Sequence, residues 1–156
     1  MTVMLDAASV RGATTGTLVS KATAALPQTA DGTLFTISGG RIVLVALVGE
    51  VTTVIETQAN NTLVKFNPDA AGAADVDLCA ALDITADAVG TYYTITGTIT
   101  DALVDLLEYS SGGVLASPYT LSEGVIELEC AASNTGNVQW DMIYYALDSD
   151  ATVAAA

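Results

Sequence analysis

The chain has no histidine among its 156 residues. Without imidazole there is no Ser-His or Cys-His pair to activate a nucleophile. A Ser-Lys dyad would need Lys21 or Lys65, and neither lies in a recognisable nucleophile context. There are only two cysteines, Cys79 and Cys130, and neither belongs to a Cys-x-x-Cys pattern. With no histidine to complete a ligand set, this excludes the usual zinc arrangements. Both cysteines sit among apolar residues, which predicts reduced, buried thiols. Neither Gly-x-Gly-x-x-Gly nor a Gly-Lys-Ser/Thr phosphate loop is present. Ser38-Gly-Gly-Arg41 resembles such a loop only superficially and reads as a hairpin turn. No cofactor is expected.

Positive charge is scarce as well. Four bases (Arg11, Lys21, Arg41, Lys65) face eighteen acids, for a net charge of −14, and no base follows Lys65. Nucleic-acid and anionic-lipid partners need Lys and Arg, so neither is expected. The longest apolar run, Ile42 to Val48, is far too short for a membrane span and suits a buried strand. Met1-Thr-Val-Met-Leu-Asp6 has no basic region followed by an apolar one, so no signal peptide is expected.

The residues that are abundant point to strands. Apolar residues make up 51%, but aromatics only 6%; the content is Val, Ile and Ala with many Thr. Branched side chains pack well on a pleated surface. Short alternating runs are separated by Gly, Asn, Asp and Ser at the spacing of an all-β fold. The expected architecture is an antiparallel β-sandwich or partly open, jelly-roll-like barrel of about eight to ten strands. Residues 1–30 are weakly patterned and read as an N-terminal arm, extended or partly ordered. Residues 31–150 form a single β domain and residues 151–156 a short tail.

The strongest pattern is Gly124 to Asp148. Ile126, Leu128 and Cys130 alternate with Glu127 and Glu129. After Ser133-Asn-Thr-Gly-Asn137, the residues Val138, Trp140, Met142 and Tyr144 alternate with Gln139, Asp141, Ile143 and Tyr145. Two such runs around an Asn/Gly segment predict a β-hairpin with the first set of each run in the core. The second strand's other face is mixed, so Ile143 and Tyr145 are candidate subunit-contact residues. Gly49 is expected to mark a bulge. Carboxylate pairs such as Asp75/Asp77 and Glu127/Glu129 stand about 7 Å apart on a strand, but the aromatic platforms of a sugar cleft are lacking. Asp75, Asp77, Asp83 and Asp87 cluster in sequence without completing a calcium loop.

Two segments resemble a family of small virion structural proteins of tailed bacteriophages. They are Ser38-Gly-Gly-Arg-Ile-Val-Leu-Val-Ala-Leu-Val-Gly-Glu-Val-Thr-Thr53, and Ile126 to Trp140 with Tyr144-Tyr-Ala-Leu-Asp148. Asn67-Pro-Asp69 and Asp75-Val-Asp-Leu-Cys79 fit the same pattern. The resemblance implies a non-enzymatic capsid decoration (cement) protein, trimeric, bound to the major capsid protein on the virion surface. A tail- or fibre-associated receptor- or carbohydrate-binding module is the alternative. Glu127, Glu129 and Asp141 depart from the family's pattern. Candidate partner-binding residues are Arg11 and Lys21 on the arm, Arg41, Ile143 and Tyr145.

Overall fold

The structure is a computed structural model that describes residues 12, 14–106 and 115–156. It is an all-β sandwich of two antiparallel sheets. Twelve strands are described: β1 (Thr17–Ala25), β2 (Asp31–Ser38), β3 (Ile42–Thr53), β4 (Asn61–Pro68), β5 (Val76–Asp77), β6 (Leu82–Asp83), β7 (Tyr92–Thr94), β8 (Val104–Leu106), β9 (Tyr119–Leu121), β10 (Gly124–Cys130), β11 (Asn137–Ala146) and β12 (Thr152–Ala155). Sheet one runs β1-β11-β3-β7-β8, with β9 also on β3; sheet two runs β12-β2-β10-β4-β5, with β6 also on β4. The count exceeds the expected eight to ten because five strands have only two or three residues.

The sequence pattern from Gly124 to Asp148 does not form a hairpin. β10 lies between β2 and β4 in sheet two, and β11 lies between β1 and β3 in sheet one. The alternation was read correctly: Ile126, Leu128, Cys130, Val138, Trp140, Met142 and Tyr144 are all buried. Those two apolar sets face each other across the core rather than sharing one face. A paired hairpin would align both on one side of a single sheet and leave the opposite sheet uncovered. The intervening residues 131–136 therefore form an arch. It is pinned where Leu26 N–H donates to the Gly136 carbonyl and Glu56 N–H to the Thr135 carbonyl.

Ser38-Gly39-Gly40 is likewise an arch between sheets, not a hairpin turn. Gly39 has φ +76°, and a Cβ there would meet the Asp150 carbonyl oxygen at 2.2 Å. Only glycine lets the 147–151 segment pack onto this corner. Connections β1–β2, β2–β3, β3–β4, β10–β11 and β11–β12 all cross from one sheet to the other.

β3 runs through Gly49 without a break, and its register shifts against β11 lie elsewhere, at Asn137/Val138 and Ile143/Tyr144. Gly49 serves packing. Trp140 lies directly across from it, and a Cβ would meet ring carbons at 2.9 Å. The Trp140 ring stacks on Tyr93 at a centroid separation of 6.4 Å. Tyr93 is fully buried, and its hydroxyl donates to Asp87 at 2.5 Å. Burial, then the hydrogen bond to Asp87, pushes the Tyr93 hydroxyl pKa well above its usual value.

Strands occupy part of the arm and most of the tail. Residues 17–25 of the expected arm are strand β1, paired along β11 from Thr17↔Tyr144 to Ala25↔Asn137. Residues 152–155 of the expected tail are strand β12, paired with β2. Small residues suffice at both places because backbone hydrogen bonds to a preformed sheet edge hold them. Val76 of β5 faces out while Leu78 and Cys79 are both buried, because the strand ends at Asp77 and its alternation stops there. Cys79 and Cys130 are free buried thiols, and burial raises the pKa of each. The expected turn at Ser110–Gly113 lies outside the described residues.

Candidate interaction surfaces

The outer face of sheet two is ionic. Lys65 projects from β4 with only 8% of its side chain exposed. Its ammonium lies 2.6 Å from Asp31, 3.2 Å from Asp75 and 3.4 Å from Glu129. Strand order explains the meeting: β10 runs between β2 and β4, and Glu127 sits beside Lys65 in register. Burial favours loss of the Lys65 proton, but the hydrogen bonds to Asp31 and Asp75 outweigh it, and the pKa lies above the ordinary lysine value. Glu127 is pushed up by desolvation and then by Asp31. One carboxylate oxygen each from Asp31, Asp75 and Glu127 lies within 4.8 Å of the others. Of the acids that cluster in sequence, Asp75 alone joins this group. Asp83 accepts from Asn60 N–H and Thr85, while Asp87 accepts from Tyr93.

The outer face of sheet one is mixed: Ser20, Asp141, Gln139 and Glu50 lie on it, beside an apolar row. Leu18, Ile143 and Ala46 form a row across β1, β11 and β3, and Tyr145 and Val43 form the next pair. Leu18 is 62% exposed. Ile143 is only partly exposed, because the turn before β1 lies against it: a Cβ at Gly16 would touch its Cγ2 at 2.7 Å. The Tyr145 hydroxyl donates to the Thr14 carbonyl in that same turn. Part of the cover expected from a neighbouring subunit therefore comes from the chain itself.

The other candidate residues lie apart. Lys21 is on β1, and its ammonium crosses the side of the sandwich to the Ala156 carbonyl at 2.6 Å. Beside it opens a cleft of about 160 Å³ between the sheets, lined by Leu26, Pro27, Leu34, Leu128 and Trp140. Arg41 precedes β3 at the Gly39-Gly40 corner. Its guanidinium and backbone N–H both bind Asp148, which draws the Asp148 carboxyl down to about 2. Arg11 lies outside the described residues. Sequence reading missed Lys65, Asp31 and Leu18. Lys65 had a legible signal: it is the one charge inside the otherwise apolar alternation Leu63-Val64-Lys65-Phe66.

No family model, curated protein or solved structure matches this chain. No helix among the described residues is long and apolar enough to cross a membrane.

Proposed function

We propose that the protein is a non-enzymatic subunit of a larger assembly, a capsid decoration (cement) protein. It would bind the outer shell of a tailed-bacteriophage head and stabilise contacts between major capsid protein subunits. The observation that carries this reading is the asymmetry of the sandwich. On one outer face the nearly buried Lys65 gathers three carboxylates, while the other presents an apolar row beside a nine-residue edge strand. A lone subunit gains nothing from such a surface, and an assembled one uses it. The resemblance of the segments that form β3, β10 and β11 adds the virion setting. Work by binding needs no cofactor, and multivalent attachment turns modest contacts into firm ones.

A carbohydrate- or receptor-binding module would expose aromatic rings. Trp140, Tyr93 and Tyr144 are buried and Tyr92 and Tyr145 only partly exposed, which favours the decoration reading. The test is co-sedimentation of the purified protein with capsid shells that lack it. Saturable binding that raises the shells' melting temperature is expected. Shells that neither bind it nor gain stability would overturn the proposal.

A further inference from the structure

We propose that β1, together with the Leu18 row beside it, is the contact between copies of this chain. The inference rests on reading the protein as an assembled subunit, but not on its binding a shell.

Among the described residues, β1, β8 and β9 lie at edges of sheet one and β12, β5 and β6 at edges of sheet two, and all but β1 are short. β12 has four residues, and β5, β6 and β8 have two or three. Asp77, Asp83 and Asp105 stand on β5, β6 and β8. Short strands and outward charge are the usual protection against edge-to-edge pairing. β1 has neither. It is nine residues long, and no described strand pairs with its outer side. Its single charge, Lys21, is turned to the Ala156 carbonyl on the other sheet.

Charge selects the occupant. Two copies with a net charge of −14 repel wherever their acids meet. The chain has no acid between Asp6 and Asp31, so β1 is an acid-free strip on an acidic molecule. It is one place where a second copy can approach without bringing carboxylates together along the strand. Leu18, near the start of β1, is its exposed large apolar residue, and Ile143 continues the apolar surface onto β11, where the nearest acid on that face is Asp141, across from Ser20. A contact of this kind strengthens with salt, because screening removes the general repulsion and leaves apolar burial intact. A contact made by opposite charges would weaken instead.

The experiment is sedimentation velocity on the purified protein over a range of concentrations, in low salt and in about 0.5 M salt, where screening is nearly complete. The expected result is a mass that is a whole multiple of 15.8 kDa, with tighter association in high salt. Leu18→Asp should shift the protein to the monomer mass and leave a cooperative thermal melt whose midpoint no longer depends on concentration. Ser20→Asp, also exposed on β1, should do the same. Val89→Asp changes an exposed apolar residue outside this surface and should keep the wild-type mass. A wild-type protein that stays monomeric throughout, or Leu18→Asp and Ser20→Asp variants that keep the wild-type mass, would overturn the proposal. Shell binding is read separately, so the two proposals fail independently.

Discussion

The two outer faces of the sandwich are made from strands with the same alternation, yet they resolve their outward side chains in opposite ways. On sheet two, one nearly buried ammonium draws in carboxylates from β2 and β10 and from the segment leading into β5. That face is complete within the chain. On sheet one, Leu18, Ile143 and Ala46 lie side by side, with a single turn at Gly12–Gly16 folded over part of them. In an acidic chain, apolar surface is where approach by another protein costs least. The contrast separates the face that holds the fold from the face that is available to a partner.

The comparison is most sharply broken at Lys65. Lys65→Met leaves Asp31, Asp75 and Glu129 facing one another without their cation. It should cost about 2 kcal/mol in urea unfolding at neutral pH; the carboxylates are partly in water, which keeps the loss at the low end for a buried charge network. The pH sign follows from the raised pKa. Lys65 contributes fully below its ordinary value of 10.5 and loses that contribution as pH rises through its higher folded value. The gap between wild type and Lys65→Met should therefore shrink in the strongly alkaline range. A gap that widens there would contradict the assignment.

Asp31→Asn removes the shortest of the Lys65 contacts and should cost about 1 kcal/mol. Glu127→Gln should cost nothing or stabilise slightly, by at most about 0.5 kcal/mol, because the carboxylate is already disfavoured there. If Glu127→Gln costs as much as Asp31→Asn, the network includes Glu127 as a full partner. On the other face, Leu18→Ser should change monomer stability by less than about 0.5 kcal/mol. The smallest effect belongs to the exposed Arg41–Asp148 pair. Asp148 titrates at about 2, so its contribution is present above the ordinary aspartate range and lost as pH falls through about 2. Asp148→Asn should remove that part of the acid unfolding curve and little else.

Much of the fold is written in period-2 patterns. The buried set on β10 and β11 was legible residue by residue, since alternation fixes which side chains share a face. What alternation does not encode is the identity of the neighbouring strand. Ser133–Asn137 has the composition of a hairpin turn, but the chain uses it to cross the core, and Ser38–Gly40 does the same. Gly49 looked like a bulge because its reason, the Trp140 ring, lies ninety-one residues away in sequence. β1 and β12 were unreadable because their strand state comes from edges they join, not from their own Ala and Thr residues. The Lys65 cluster draws on residues 31, 65, 75 and 129, a grouping set by sheet order alone.

Amide hydrogen exchange tests the central contrast most directly. Residues 17–25 should exchange slowly in concentrated wild-type protein and speed up on dilution or with Leu18→Asp, while β5 and β6 keep one rate throughout. Exchange in residues 17–25 that ignores concentration and the Leu18 substitution, under conditions where the protein self-associates, would contradict the account.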